Sequence, residues 1–175
     1  MWSVPGNRSK VAWAVLCGAV LLFGCGPKEK FPAQPRIEYK SFEQLNDTAT
    51  VTISFTDGDG DIGVDDSWPH EPGSLYYNNL LVFYEVLQQG VWEDPGLGVE
   101  LHARIPPITP TGQNKVLQGD IAYGLGRLNI ANSGWPVQAK PPGTPNDTVR
   151  FRLRLVDRAL NESNEVATES IVVTY

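Results

Sequence analysis

Three aspartates separated by single glycines form the part of this sequence best suited to chemistry. Asp57, Asp59 and Asp61 alternate with Gly58 and Gly60, directly after a stretch that has the pattern of a β-strand. Carboxylates placed this close together repel one another, and glycine tolerates the positive φ angles of a tight loop. Calcium prefers oxygen ligands of this kind. The spacing therefore predicts a loop that wraps a calcium ion.

The same spacing begins an EF-hand loop, but the rest of that motif is missing. The glycine expected at its sixth position is Ile62, and the glutamate expected at its twelfth is Trp68. Two alternatives stay open: a calcium site, or a metal-free acidic loop whose aspartates accept hydrogen bonds from backbone amides. Magnesium suits a loop with several carboxylates less well than calcium. Zinc is disfavoured, because only His70 and His102 offer nitrogen ligands.

Alternating apolar residues predict the elements that position this loop. Turn-forming residues separate about seven such stretches, as is typical of an antiparallel sandwich. The predicted strands are Arg36–Gln44, Thr50–Thr56, Asn79–Gln88, Val99–Ile105, Asp120–Ile130, Thr148–Val156 and Val166–Tyr175. No stretch combines helical periodicity with a cap and adequate length. We therefore expect residues 36–175 to form an all-β domain, an immunoglobulin-like antiparallel β-sandwich.

A second loop rich in oxygen atoms follows the sixth predicted strand. In an immunoglobulin-like sandwich the second and sixth strands run in the same direction and end at the same pole. Asp57 follows the second strand and Asp157 follows the sixth. The second loop resembles the D-x-A-x-N segment of many bacterial immunoglobulin-like domains, although Leu160 stands where glycine is usual. We expect Asp157 and Asn161 to join the three aspartates as calcium ligands.

The first 24 residues have the pattern of a targeting segment. Arg8 and Lys10 precede the apolar stretch 11–23, which is short for a membrane-spanning helix, and Cys25 follows Gly24. The segment resembles the lipobox of bacterial lipoproteins. That resemblance implies that residues 1–24 are removed and that Cys25 becomes the diacylated first residue, carrying palmitate-type chains. The alternative is an ordinary secretory signal followed by an incidental cysteine.

Residues 25–35 are predicted to be a polar tether that prolines stiffen. Together with the acidic loop and the Asp157 turn, this tether makes the mature chain resemble small Bacteroidota outer-membrane lipoproteins. The resemblance implies a lipid-anchored protein of the outer membrane, exposed at the cell surface, and implies no particular activity. Thr48 and Thr148 lie in short triplets that resemble the O-glycosylation motif of the same group of bacteria.

The net charge and the cysteine content disfavour some classes of binding partner and of chemical site. The chain has 14 basic and 20 acidic residues, and both basic residues of the targeting segment would be lost with it. The mature chain then carries a net charge of −8, which disfavours binding to nucleic acid. The two cysteines are Cys17 and Cys25, so no disulfide or catalytic thiol is expected in the mature domain.

Three arginines alternate along the sixth predicted strand. Arg150, Arg152 and Arg154 would share the face opposite the core. We expect them to pair with neighbouring glutamates across the sheet. The alternative is a basic stripe that binds an acidic partner.

The sequence carries no catalytic motif, since it lacks the Gly-x-Ser-x-Gly nucleophile elbow. A non-enzymatic module that binds a protein partner, or serves an outer-membrane assembly, is therefore expected, and a hydrolase fits least. The alternative is a glycan-binding module that uses aromatic side chains near the loops. These aromatics could equally cap the open ends of the sandwich. They are Trp68, Tyr76, Tyr77, Trp92 and Trp135.

Overall fold

Eight β-strands form the sheets of the residues that the computed structural model describes, namely 30–45, 48–96, 100–110, 115–125 and 146–173. In chain order they are β1 Arg36–Leu45, β2 Thr48–Asp57, β3 Leu80–Gln88, β4 Val91–Glu93, β5 Leu117–Leu125, β6 Asp147–Leu155, β7 Val166–Ala167 and β8 Ile171–Val173. A 3₁₀ turn spans Leu75–Tyr77. Within the described ranges no helix has the length and apolar character needed to cross a membrane. The predictions for residues 1–24, Cys25 and Trp135 lie outside these ranges.

The strands form two antiparallel sheets that pack as a sandwich. One sheet has the order β1-β2-β5, and the other has the order β4-β3-β6-β7, with β8 also paired to β6. The first, second and fifth strands thus share one sheet, while the third, sixth and seventh share the other. This is the division of strands found in immunoglobulin-like sandwiches. The predicted all-β antiparallel sandwich is therefore confirmed.

The inner faces of the two sheets supply the core. Strand β6 buries every second side chain from Val149 to Leu155, and β2 does the same from Val51 to Phe55. Phe151 lies at the centre of this core, with its ring centroid 5.5 Å from Tyr84 and 6.3 Å from Phe42. Burial of apolar surface is the main stabilising contribution, because the domain has no cysteine that could form a disulfide.

The prediction of a strand at Val99–Ile105 is wrong for the residues described there. Ala103 forms only an isolated bridge with Leu80. The backbone of Ile105 is used by loops instead, because its N–H donates to Asn79 Oδ1 and its carbonyl accepts from Val64 N. Pairing of this segment with β3 is therefore limited to the bridge at Ala103.

The other differences concern the ends and the edges of the sheets. The predicted strand Val166–Tyr175 is divided into β7 and β8, because Thr168 turns inward between them. The Thr168 hydroxyl accepts a hydrogen bond from Phe151 N and donates one to the carbonyl of Glu169. Strand β4 was not predicted, since three residues around Trp92 are too few to show an alternating pattern.

The three arginines of β6 pair with glutamates, as expected. Arg150 and Arg152 both donate to Glu85 on β3, at 2.6 and 2.8 Å. Arg154 donates to Glu162 at 2.6 Å and to Glu165 at 3.1 Å. Two of the guanidinium groups also lie over aromatic rings: that of Arg150 is 4.4 Å from the centroid of Trp92, and that of Arg152 is 5.3 Å from the centroid of Phe83.

The position of Glu85 between two arginines predicts a measurable cost of removing it. Glu85 is only 8% exposed, so Glu85→Ala leaves two partly buried guanidinium groups without their shared acceptor. We expect the free energy of unfolding to fall by about 1–3 kcal/mol, measured by urea denaturation. The control is Glu38→Ala, because Glu38 is an exposed residue whose contact with Arg36 is 3.8 Å long. Equal stability of the two variants would contradict this prediction.

Candidate metal centre

Asp57 is buried because it continues the inward-facing row of its strand. Side chains alternate along β2, so the row that contains Val51, Ile53 and Phe55 reaches Asp57 next. Asp57 is 0% exposed, although it is a carboxylate at the end of a strand. A buried ionised group is costly unless hydrogen bonds or an opposite charge stabilise it. The local structure must therefore compensate for this charge.

The acidic loop donates hydrogen bonds to one of the two oxygens of the Asp57 carboxylate. Its Oδ2 accepts hydrogen bonds from Gly60 N at 2.8 Å and from Asp61 N at 3.0 Å, so the loop winds around this oxygen. The other oxygen, Oδ1, is buried and has no hydrogen-bond partner among the described residues. Oδ1 of Asp61 is likewise buried without a partner in that part of the chain. Unpartnered buried oxygens of this kind are rare in folded proteins, and a missing ion or water is one explanation.

Asp57, Asp59 and Asp61 come together in a single cluster. One carboxylate oxygen from each residue lies within 4.8 Å of the other two. Asp57 is buried, Asp61 is half-buried and Asp59 is exposed, so the cluster runs from the interior to the surface. Such a cluster could hold a metal ion, with Asp59 on the solvent side.

Asp157 is buried for the same reason as Asp57. It follows the inward row of β6, which ends with Leu153 and Leu155, and it is 0% exposed. Both of its oxygens are satisfied within its own loop: Oδ1 accepts from Asn161 N and Oδ2 accepts from Asn161 Nδ2, each at 2.8 Å. Asp157 is not one of the three mutually close carboxylates. Its predicted role as a ligand, and that of Asn161, stay predictions.

The two loops nevertheless meet, as the strand order predicted. Arg158 N donates to the carbonyl of Asp61 at 3.3 Å, and the Arg158 guanidinium lies 3.4 Å from the carbonyl of Gly63. The structure thus brings residues about a hundred positions apart in the chain into one pole of the sandwich. We call this end, formed by residues 57–63 and 157–161, the metal pole.

The pKa values of Asp61 and Asp57 are raised, mainly by burial and also by the charges of neighbouring carboxylates. The pKa of Asp61 is raised from 3.8 to about 6. Burial is the largest cause, and the negative charges of Asp157, Asp59 and Asp57 contribute the rest of the increase. Arg158 opposes this shift. Burial also raises the pKa of Asp57, despite the two backbone amides that stabilise its charge. A bound cation would stabilise the charged form of both carboxylates and so oppose both shifts.

Three glycines of the acidic loop are enclosed by the backbone of remote segments. A Cβ atom would lie 2.1 Å from the Phe31 carbonyl oxygen at Gly58, 2.0 Å from that of Lys115 at Gly60, and 2.2 Å from that of Pro106 at Gly63. Only glycine permits this close approach, and the φ angles of +74° at Gly60 and +95° at Gly63 also favour it. The sequence indicated the turns but not these contacts.

Asn79 is a structural residue of this pole that the sequence did not single out. It is fully buried; its Oδ1 accepts from Ile105 N at 2.6 Å, and its carbonyl accepts from Val156 N at 2.8 Å. Its Nδ2 is buried without a partner. Asn79 therefore joins the start of β3 to the segment that enters the Asp157 loop. An asparagine immediately before an apolar strand was the available signal.

The predicted modification sites occupy unlike positions. Thr148 is half-buried in β6, opposite Val172 of β8. The backbone of Thr48 begins β2, and its side chain lies outside the described part of the structure. O-glycosylation of either residue, and lipidation of Cys25, stay predictions.

In comparisons with known proteins, no family model, no curated protein and no solved structure matches this chain. The case for a function therefore rests on the residues themselves. They show a small all-β protein with two antiparallel sheets and a cluster of Asp57, Asp59 and Asp61 that could hold a metal ion.

The backbone at Leu160 predicts a stabilising substitution. Leu160 keeps the left-handed conformation of the glycine that is usual there, with φ at +64°, while its side chain is 40% exposed. We expect Leu160→Gly to raise the free energy of unfolding by about 0.5–1 kcal/mol, because relief of the left-handed strain exceeds the entropic cost of glycine. The control is Leu75→Gly, since Leu75 is 51% exposed and lies in a right-handed 3₁₀ turn. A lower thermal midpoint for Leu160→Gly than for wild type would contradict the prediction.

The raised pKa of Asp61 predicts how the stability of the metal-free protein depends on pH. The folded protein holds the Asp61 proton more tightly than the unfolded chain, whose pKa is near 3.8. The contribution of Asp61 to the free energy of unfolding is therefore fully present below about pH 4, and it is lost as the pH rises through 6. We expect the urea midpoint in EDTA to fall with pH over this range, and to fall less steeply in Asp61→Asn.

Asp66→Asn is the matched control, because Asp66 is an exposed aspartate of the same acidic stretch. In Asp66→Asn the urea midpoint should change with pH as steeply as it does in wild type. A slope for Asp61→Asn that equals the wild-type slope would show that Asp61 titrates at the same pH in the folded and unfolded states.

Proposed function

We propose that this protein is a non-enzymatic binding module, a β-sandwich stabilised by calcium at its metal pole and attached to the outer membrane by lipid at Cys25. The observation that supports a metal here is the Asp57 carboxylate, which is fully buried while its Oδ1 has no partner within the described ranges. Asp61 Oδ1 is in the same situation. A cation beside these oxygens supplies the compensation that the loop itself does not.

Calcium is the ion that best fits the donors. The cluster offers three carboxylates, and the loop around it offers backbone carbonyls, which together suit the six to eight oxygens that calcium takes. Magnesium requires near-ideal octahedral geometry and keeps several waters. The histidines do not support zinc, since His102 Nδ1 accepts a hydrogen bond from Val82 N, and His70 packs against Trp68.

A structural role for the ion fits the position of the cluster better than a catalytic one. Asp57 belongs to the inward row of a core strand, and its carboxylate organises the backbone of its own loop. The lipid anchor is supported by the lipobox-like sequence that ends at Cys25. In the proposed lipoprotein, the tether joins the domain beside the metal pole, because β1 begins at Arg36, opposite Thr56.

A protein partner, or an outer-membrane assembly, is the proposed target of the module. The loop aromatics of the described residues are engaged in packing, which does not favour their use as a sugar-stacking platform. Trp68 Nε1 donates to the carbonyl of Tyr76 at 2.5 Å, and Trp92 and Tyr77 lie under the guanidinium groups of Arg150 and Arg104. None of these aromatic side chains is fully exposed.

The proposal predicts a calcium-specific gain in thermal stability. For the mature chain from Cys25 to Tyr175, calcium at a hundred times its Kd should stabilise by about 2.7 kcal/mol. This corresponds to a rise in Tm of about 5–10 °C for a domain of this size. Magnesium at the same concentration should give a smaller rise, measured by differential scanning fluorimetry against an EDTA reference.

Two alanine variants make this test specific. Asp59→Ala removes the exposed carboxylate of the cluster and should abolish the calcium response, whereas Asp66→Ala removes the same charge outside the cluster and should retain it. If wild type shows the same Tm in calcium and in EDTA, the metal assignment is wrong and the acidic loop is a metal-free turn.

A further inference from the structure

The segment that leads into β1 lies against the acidic loop of the metal pole and against Glu162, the residue that follows the second loop of the pole. We call residues Phe31–Pro35 the strap. The carbonyl of Pro32 accepts a hydrogen bond from Gly58 N at 2.8 Å, and Gln34 Nε2 donates to the carbonyl of Glu162 at 2.7 Å. The first contact is made to the residue directly after Asp57. The strap is therefore held by a peptide group of the acidic loop.

The strap also forms one wall of a cleft of about 630 Å³. The floor consists of residues on β1, β2 and β5, which are paired side by side in the three-stranded sheet. Its volume falls within the range of about 300–1,000 Å³ that is typical of small-ligand sites. Lining residues that a ligand would meet include Phe31, Pro32, Glu38, Thr56, Gln118 and Asp120.

The lining of this cleft suits a neutral ligand that carries many hydroxyl groups. Carboxylates, a hydroxyl and an amide offer both donors and acceptors, while Phe31 and Pro32 offer an apolar surface. The charges are balanced, because Arg36 lies 3.8 Å from Glu38 and Lys40 pairs with Asp120. A charged polymer would therefore gain little from electrostatic attraction here.

The backbone of the cleft floor does not favour an extended peptide. At this end of the sheet, β2 is paired with β1 on one side and with β5 on the other, from Thr56 back to Ser54. Addition of a peptide strand takes place at a sheet edge, here the outer sides of β1 and β5, whereas the cleft lies over side chains of all three strands. A ligand rich in hydroxyl groups can form hydrogen bonds with these side chains and pack on Phe31 and Pro32.

We propose that this cleft is a further ligand site of the module, that it binds a neutral oligosaccharide, and that calcium at the metal pole keeps the strap in place as its wall. The inference rests on the proposed calcium-stabilised module and adds a saccharide ligand to its protein target. Without the ion, Asp57, Asp59 and Asp61 repel one another, and Gly58 lies between two of them. Movement of Gly58 removes the hydrogen bond to Pro32 and opens the wall.

The test is isothermal titration of the calcium-loaded mature chain with four neutral hexasaccharides: maltohexaose, cellohexaose, xylohexaose and mannohexaose. At least one of them should bind. Phe31→Ala and Asp120→Asn should each weaken that binding by about tenfold or more, as expected from the loss of a central contact. Trp92→Ala should leave it unchanged, because Trp92 lies on the other sheet, under Arg150. Removal of calcium by EDTA should weaken it as well.

Each other outcome overturns a defined part of the proposal. A Gly-Ser decapeptide is titrated in the same way for comparison. If calcium raises Tm but none of the hexasaccharides binds, or only the decapeptide binds, the saccharide assignment is wrong and the proposal of a calcium-stabilised module is unaffected. If a sugar binds and only Trp92→Ala weakens it, the site is not the cleft. If a sugar binds with unchanged affinity in EDTA, the strap does not depend on the metal. If calcium also leaves Tm unchanged, the proposed metal function fails with it.

Discussion

The structure depends on the hydrogen bonds and charges that stabilise two buried carboxylates, those of Asp57 and Asp157. Strands β2 and β6 each carry an inward row of apolar side chains, and in both the row continues into an aspartate after the last apolar residue. Because side chains alternate with a period of two, neither aspartate can reach solvent without breaking the register of its strand. The chain around each must therefore supply hydrogen bonds or charge.

The two strands meet this requirement in different ways. Asp157 is satisfied by Asn161, which donates both its backbone and its side-chain N–H to the carboxylate. Asp57 receives backbone donors at only one oxygen, and two further aspartates lie beside it. The loop after β6 thus satisfies its own buried carboxylate, whereas the loop after β2 brings together negative charges that its own atoms do not neutralise. This difference makes the loop after β2 the candidate for holding a metal ion, while the role of Asp157 as a ligand stays a prediction.

Much of the fold, and the centre of the site, followed from the sequence. The alternation of Val149, Phe151 and Leu153 defined β6, and the strand order brought Asp57 near Asp157. The sequence could not show what depends on contacts between distant segments. The approach of the Phe31 carbonyl to Gly58 has no local pattern, and the position of Asn79 before an apolar strand did not indicate which groups it would bond. The predicted strand at Val99–Ile105 failed for a related reason: its residues alternate, but Asn79 and Val64 use its backbone groups.

The contacts of the strap have a consequence for the order in which the domain can assemble. Gln34 and Glu162 are 128 positions apart, and the metal pole also joins Gly58 to Pro32 and Arg158 to Asp61. The Gln34–Glu162 and Arg158–Asp61 contacts span more of the chain than the pairing of β2 with β5 or of β3 with β6. Contacts of longer sequence separation tend to form later, since a larger loop must close before they are gained. We therefore expect these two contacts to form after the sheets have paired, so that an ion bound beside them stabilises an assembled sandwich.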